Sequence, residues 1–180
     1  VVVSNADVKI DVKHIPNLED AIRQMADRPS IAVGCLRQLH FDHTPQRSVR
    51  LTPCILENML NFFGSSKSID GRFTKLQSNV EVNGKYYLDG AFLLINKQVF
   101  FELGGFDEEF SFFGEEVDFC KRAVTAGYEL FLFGYGEIFH KRGGSSKELN
   151  RNNNEKKISL ATEARLRLVR KHYNFPLRII

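Results

Sequence analysis

The chain carries at positions 104–122 the sequence Gly104-Gly105-Phe106-Asp107-Glu108-Glu109-Phe110-Ser111-Phe112-Phe113-Gly114-Glu115-Glu116-Val117-Asp118-Phe119-Cys120-Lys121-Arg122. A glycine pair and a run of phenylalanines precede three carboxylates within four positions. Apolar residues recur at the spacing of one helix face, namely Phe113, Val117, Cys120 and Val124, before Gly127. This periodicity predicts a helix that packs on a core and ends at Gly127. The acidic groups would then lie at the edge of an apolar surface formed by the phenylalanines.

Glu116 falls in the first turn of this predicted helix. Unpaired backbone amides and the positive end of the helix dipole stabilise an ionised carboxylate there. Glu115, Asp118 and Arg122 fall on a neighbouring face. The pattern also fits ordinary capping acids, with Asp118 and Arg122 forming an i,i+4 surface pair of about 0.3 kcal/mol. The residues alone leave both interpretations open.

Several spaced motifs occur in a fixed order along the chain. They are Leu88-Asp89-Gly90-Ala91-Phe92-Leu93-Leu94-Ile95, then Gly104 to Glu108, Gly114 to Arg122, Ala126-Gly127-Tyr128, and finally His140 to Ser146. In this order they resemble the acceptor half of inverting family 2 glycosyltransferases, and the rhamnosyltransferase-like branch in particular. The resemblance implies an α/β fold of the GT-A (nucleotide-diphospho-sugar transferase) type, with residues 1–180 as a single domain.

The resemblance implies roles for individual residues. Glu116 matches the catalytic base, at a position where the family usually has Asp. A glutamate reaches about one methylene further with similar acidity, so base chemistry is retained while the geometry changes. Glu115 is expected to hold the acceptor by hydrogen bonding. Further substrate contacts are implied for Asp89, Gly90, Ala91, Asp118, Arg142 and Ser145, although a tight bend in a strand would use the same Asp-Gly-Ala letters.

The chain opens with Val1-Val2-Val3, which run into Ser4-Asn5-Ala6-Asp7. Such a sequence is typical of a fully buried parallel strand that ends at a site. The resemblance implies that Asp7, its weaker partner Asn5, and His140 hold a divalent metal, Mn²⁺ or Mg²⁺. Asn-Ala-Asp is also a common turn sequence. His140 has an alternative as well, a strand-end histidine beside a basic surface loop.

Composition places the chain among ordinary soluble domains. It has 180 residues, 43% hydrophobic and 26% charged, enough for one sizeable core. No apolar run approaches the roughly 20 residues of a membrane span, and no stretch resembles a signal peptide. The expected location is therefore the cytoplasm, with peripheral contact at the inner face of the cell membrane left open.

A net charge of +3 without a nucleic-acid signature argues against nucleic-acid binding. Three widely spaced cysteines, Cys35, Cys54 and Cys120, are expected in the core.

The remaining sequence predicts alternating helices and strands. The predicted elements are a helix capped by Asn17, a buried strand at 31–36, a helix from Pro53 to Gly64, a mobile loop at 65–78, a strand at 86–95 interrupted by the Asp-Gly-Ala motif, two short strands at 128–133 and 137–140 joined by Gly134-Tyr135-Gly136, and a C-terminal helix at 158–175 packed on the domain. His40, Asp42 and His43 are interpreted as surface residues of a turn, with a metal or phosphate site as the alternative.

The resemblance predicts a metal-dependent glycosyltransferase of polysaccharide biosynthesis that acts by single displacement with inversion. Its partners would be a nucleotide-sugar donor and a glycan or polyprenyl-linked acceptor. A metal-dependent diphosphate hydrolase and a catalytically silent sugar-binding domain are the alternatives. The family has a nucleotide-binding βαβ region before the Asn-x-Asp strand, and the chain lacks its counterpart. We therefore expect these residues to be an inactive fragment that self-associates through an apolar edge strand at Val1-Val2-Val3.

Overall fold

The computed structural model describes residues 1–52, 73, 76–111, 113–141 and 154–173. Several sequence predictions lie outside these residues: the helix at 53–64, most of the loop at 65–78, and the substrate contacts of Arg142 and Ser145. The same holds for Cys54.

The described residues form a mixed α/β fold around a mixed sheet. The strands are β1 (Val2–Ser4), β2 (Val8–Lys9), β3 (Ile31–Leu39), β4 (Val49–Leu51), β5 (Val80–Val82), β6 (Tyr86–Leu88), β7 (Phe92–Ile95) and β8 (Glu129–His140). The sheet order is β1-β7-β3-β8-β2, with β5 also beside β8, and β4 and β6 form a separate pair. β3 and β8 are parallel, whereas the other named pairs are antiparallel.

Four α-helices belong to the described residues. They are α1 (Ile15–Asp27), α2 (Lys97–Glu102), α3 (Glu115–Thr125) and α4 (Asn154–His172), and a 3₁₀ turn at Val12–His14 precedes α1. The helix predicted from the 104–122 stretch is confirmed as α3. It begins after Gly114 and ends just before Gly127, and both glycines have left-handed φ angles of 94° and 88°. Glycine suits both positions because it carries no β-carbon penalty there.

Both faces of the sheet are covered, which alternate residues of β8 show most clearly. Leu130 and Leu132 pack in one apolar cluster with α3, whereas Phe131 and Phe133 pack in another with α1. All nine residues of β3 are buried between its two neighbours. Cys35 and Cys120 are buried free thiols, so the core position expected for them is confirmed.

The N-terminus of α1 differs from the prediction. The helix begins at Ile15, so Asn17 lies inside it and is not its cap. Pro16 explains the earlier start, because proline lacks the amide hydrogen that a first-turn residue would leave unpaired. Helical spacing of Leu18, Ala21, Ile22 and Met25 predicts the buried face of this helix. Ala21 and Met25 are buried, whereas Ile22 is 47% exposed, so the prediction is wrong for Ile22.

The predicted pair of short strands joined by a hairpin-like turn at Gly134-Tyr135-Gly136 is wrong. β8 is one strand of 12 residues, and these three residues bulge out, since Leu36 pairs with Phe133 whereas Arg37 pairs with Glu137. A β-carbon on Gly134 would lie 2.2 Å from the Ser78 carbonyl oxygen. The glycine therefore permits a close backbone contact instead of a turn.

β1 also differs from its prediction. It pairs antiparallel with β7 at the edge of the sheet, where Val1 and Val2 remain 62% and 49% exposed. Parallel pairing and full burial are therefore wrong, whereas the predicted edge position is correct for the described residues. An exposed apolar edge strand offers unpaired backbone groups to another chain.

α4 lies against the N-terminal part of α3. Ala164 and Leu168 are buried in a small cluster with Phe110 and Val117. Ile158 and Leu166 remain 66% and 52% exposed. None of the helices in the described part of the chain combines the length and apolar character that crossing a membrane requires.

Candidate active site

The loop Asp89-Gly90-Ala91 connects β6 and β7, and the carboxylate of Asp89 stabilises it. Asp89 Oδ1 accepts a hydrogen bond of 3.2 Å from the Ala91 amide, and Oδ2 accepts one of 2.6 Å from Arg50 Nε. The Gln38 side-chain amide donates to the same carboxylate over 3.4 Å. The sequence left two interpretations of this motif open, a tight bend in a strand and a set of substrate contacts. The bend is observed, and the substrate contacts remain a prediction.

The same loop is tied to the end of β1. The Asn5 amide donates to the Ala91 carbonyl over 2.9 Å, directly after the β1–β7 ladder ends at Ser4 and Phe92. Asn5 is itself an exposed residue. The strand end that carries the predicted metal ligands therefore lies beside the predicted acceptor loop.

Gly90 brings this loop against the first turn of α3. A β-carbon at position 90 would lie 3.2 Å from Cγ and 3.3 Å from Cβ of Glu116. Distances this short would force the neighbouring atoms apart, so the absence of a side chain at Gly90 allows the contact. The structure thus brings together the two motifs that the sequence places on one site.

The electrostatic environment of Glu116 differs from the expected one. Burial raises the pKa of its carboxyl to about 7, and the carboxylates of Glu115 and Asp89 add to the shift against opposing backbone hydrogen bonds. The helix N-terminus was expected to keep this group ionised, and desolvation is the stronger effect. A carboxyl that titrates near neutrality is suited to accept a proton in general base catalysis.

Glu115 and Tyr87 line the same region. Glu115 Oε2 is buried and has no hydrogen-bond partner within the described residues, which is uncommon for a buried carboxylate oxygen. Burial raises the pKa of the Tyr87 hydroxyl, and the Glu116 charge contributes. Tyr87 was not predicted as a site residue, because an aromatic in a strand gives no signal beyond strand propensity.

Asp118 has a different environment from the other two acids of α3. It is 0% exposed, and its carboxylate pairs with Arg122 Nε at 2.8 Å, Lys171 Nζ at 2.8 Å and His172 Nε2 at 2.7 Å. Burial alone would raise the pKa of Asp118, but these hydrogen bonds hold it well below its usual range. The i,i+4 pair with Arg122 exists, but it is buried and not a surface pair. Substrate binding by Asp118 stays a prediction, and its observed contacts attach α4 to α3.

Asp7 and His140 lie together, as the sequence predicts. His140 Nε2 is 3.4 Å from Asp7 Oδ1, and the Lys141 amide donates to the Asp7 carbonyl over 3.1 Å. β2 pairs with the end of β8 through Val8 and His140, which fixes both residues. His140 is buried, and its Nδ1 has no hydrogen-bond partner among the described residues.

These atoms fit a divalent ion. Ligands at right angles around an ion with bonds of about 2.1 Å stand about 3 Å apart, close to the observed separation. The carboxylate oxygen suits Mn²⁺ or Mg²⁺, whereas the imidazole favours a transition-metal ion, so the pair fits Mn²⁺ better than Mg²⁺. No group of three or more His, Cys, Asp or Glu side chains in the described part of the chain could hold a metal by itself. Two side-chain ligands would leave most coordination positions of such an ion to other oxygen atoms.

Residues 37–50 combine surface and buried polar groups. Asp42 accepts hydrogen bonds from the Thr44 amide and hydroxyl in an exposed turn, which supports the surface interpretation. Arg50 on β4 pairs with Asp89 in the loop after β6, and no local sequence pattern indicates this pairing, because the two positions are 39 residues apart. Gln38 and Gln46 are buried and were not predicted as site residues. Arg142 and Ser145 lie outside the described residues.

The sequence matches no protein-family model and no curated protein.

Proposed function

We propose that the chain is the metal-site and acceptor-binding part of an inverting glycosyltransferase with a GT-A fold. It would move a sugar from a nucleotide-diphosphate donor to a hydroxyl of a glycan or polyprenyl-linked acceptor. One observation carries the proposal: Glu116, with a pKa raised to about 7, lies directly against Gly90 in the loop that is hydrogen-bonded to Asn5, two residues before Asp7.

Glu116 has the chemistry required of the base. Its ionised carboxylate would take the proton of the acceptor hydroxyl as the oxygen forms its bond to the anomeric carbon. The bond from that carbon to the diphosphate oxygen breaks in the same step, which inverts the configuration. The buried Glu115 oxygen would accept a hydrogen bond from the acceptor and orient it.

Asp7 and His140 would hold a divalent ion, with Asn5 close by. The ion would supply positive charge that stabilises the departing diphosphate. Asp89 would act indirectly, since its carboxylate is bonded to Arg50 and to the Ala91 amide. Its contribution is to keep Gly90 against Glu116.

The proposal is tested by a mass-spectrometric screen of nucleotide-sugar donors and glycan or polyprenyl-linked acceptors with Mn²⁺ present, on the protein as its native cells produce it. Transfer with inversion is expected, and Glu116→Gln should lower turnover by roughly 10²- to 10⁴-fold. Glu108→Gln is the control, because Glu108 is exposed in the same stretch. Release of the diphosphate without an acceptor would favour a hydrolase, and glycan binding without turnover would favour a silent binding domain. Either result contradicts the proposal.

A further inference from the structure

Gln46 is a buried polar residue next to the candidate metal pair. It is 4% exposed, and its backbone amide donates to the Gln38 carbonyl over 2.8 Å after the turn that follows β3. Burying an amide side chain is costly unless its hydrogen-bonding groups are paired. The contacts of this side chain therefore indicate what it does.

The Gln46 side-chain nitrogen lies within hydrogen-bond distance of three atoms, two of which are carbonyl oxygens. It is 3.1 Å from the Leu39 carbonyl oxygen, 2.5 Å from the His140 carbonyl oxygen and 2.9 Å from His40 Nδ1. The two carbonyl oxygens can only accept, so they require the nitrogen of the amide on that side. An amide nitrogen carries two hydrogens, one for each carbonyl.

These two hydrogen bonds join the carboxyl ends of two parallel strands. Leu39 is the last residue of β3, and His140 is the last residue of β8. The last paired residues of the backbone ladder are Leu39 and Phe139, and the Gln46 amide connects the strands beyond that point. On its other side His140 pairs with Val8 of β2. The backbone of His140 is thus fixed from both sides.

We propose that Gln46 is a positioning residue that holds the His140 imidazole facing Asp7. The inference rests on the proposed function where it concerns the metal, and it adds a residue that does not touch the ion or the substrate. Without the Gln46 amide the buried His140 carbonyl would lose this hydrogen bond, and the last residue of β8 would lose its side-chain link to β3 beyond the Leu39–Phe139 pair. Groups that hydrogen-bond a ligating side chain typically contribute about 10- to 100-fold in metal affinity, and Gln46, which acts through the His140 backbone, is expected at the lower end of that range.

Mn²⁺ binding followed by electron paramagnetic resonance tests the inference. Gln46→Met keeps the length of the side chain but removes both hydrogen bonds, and it should weaken Mn²⁺ binding at least about 10-fold. Val99→Ala is the control, because Val99 is buried in the core on α2 and its loss destabilises the fold without a change at His140. Gln46→Asn, one methylene shorter, replaces Gln46→Met if that variant does not fold. Wild-type Mn²⁺ affinity in the folded Gln46 variant overturns the inference.

A metal-free measurement separates this inference from the proposed function. Nuclear Overhauser effects between the His140 ring and the Asp7 β-protons should be present in the wild-type chain and in Val99→Ala, and should be lost in Gln46→Met. If the wild-type chain binds no Mn²⁺, the metal site of the proposed function fails, and this measurement alone decides the role of Gln46. Loss of the effect then supports the inference, and an unchanged effect overturns it.

Discussion

Gly90 lies against Glu116 so closely that a β-carbon on the glycine would stand 3.2 Å from Cγ and 3.4 Å from Cδ of the glutamate. The contact joins the loop between β6 and β7 to the first turn of α3. The neighbouring Ala91 carbonyl accepts the Asn5 amide, so the same loop also supports the end of β1. The positions of the candidate base and of the end of β1, which precedes the candidate metal ligand Asp7, therefore depend on one short loop.

Gly90→Ala should lower glycosyl transfer with little loss of fold. The added methyl would displace the Glu116 side chain by a few tenths of an ångström or more. Misplacement of a catalytic group on the scale of 1 Å can cost roughly 10²-fold, so a decrease of about 10- to 10²-fold in turnover is expected. Steady-state kinetics with saturating acceptor measure it.

The matched control is Gly84→Ala. A β-carbon at Gly84 would lie 2.7 Å from Cγ1 of Val124, which is in the last turn of α3, whereas Glu116 is in the first. This variant should lose stability in urea while turnover per folded molecule stays near that of the wild type. Equal turnover losses in the two variants would mean that the Gly90 contact has no special role.

The raised pKa of Glu116 predicts that stability falls as pH rises. The folded-state pKa is about 7 and the ordinary value is 4.5. Below pH 4.5 both states are protonated and there is no penalty. Between the two values the unfolded chain releases the proton more readily, so folding loses up to about 3 kcal/mol by the time pH exceeds 7. Urea unfolding at pH 5 and pH 8 measures the loss.

Glu116→Gln removes this titration and should be more stable than the wild type at pH 8, with a smaller difference at pH 5. Turnover of the wild type should rise with pH to a plateau above about 7, because only the ionised form is a base. A stability difference that is the same at both pH values would show that Glu116 ionises freely in the folded protein.

The sequence predicts α3 and its acidic first turn well, because a helical stripe between two glycines is a local signal. It also predicts that Asp7 and His140 meet, although that pairing came from a family resemblance and not from the residues alone. The loop at 89–91 is also recognisable from a local signal, because Asp89-Gly90-Ala91 interrupts the pattern of a strand. These features depend on short segments of the chain.

Apart from the Asp7–His140 pair, which the family resemblance supplied, the contacts between distant segments described above were not predicted. Gly134 has the letters of a turn, and only the approach of Ser78 shows that a bulge is required. The burial that raises the pKa of Glu116 depends on packing by other elements, which no helix-dipole argument contains. Gln46 looks like a surface residue in a polar turn, yet its amide reaches the end of β8.

Asp118→Asn should detach α4 from α3. The buried carboxylate is paired with Arg122, Lys171 and His172, and removing one member of a buried ionic group costs roughly 3 to 5 kcal/mol. Because the pKa of Asp118 is lowered in the folded protein, this stabilisation is fully present at pH values above its ordinary pKa of 3.8. It is lost as the pH falls below 3.8. Hydrogen exchange of residues 154–172 should accelerate in the variant.

Glu109→Gln is the control for this prediction. Glu109 also pairs with α4, through Arg167, but its side chain is 72% exposed. An exposed pair contributes about 0 to 1 kcal/mol, so α4 should exchange as in the wild type. If Asp118 instead binds the acceptor, Asp118→Asn should raise KM for the acceptor while α4 exchange stays unchanged.

Mn²⁺ should bind weakly to Asp7 and His140 and more tightly when a nucleoside diphosphate is present. The protein supplies few ligands, with His140 Nε2 only 3.4 Å from Asp7 Oδ1, and diphosphate oxygens would complete the coordination. Coupling of about 5- to 150-fold is the usual range for two linked ligands. Calorimetry with Mn²⁺, in the absence and presence of UDP as the probe, measures the coupling in the protein as its native cells produce it. Asp7→Ala combined with His140→Ala should remove it, and Asp27→Ala, which changes an exposed carboxylate at the end of α1, should preserve it. Undiminished coupling in the double variant would place the ion elsewhere in the protein and remove Asp7 and His140 from the site.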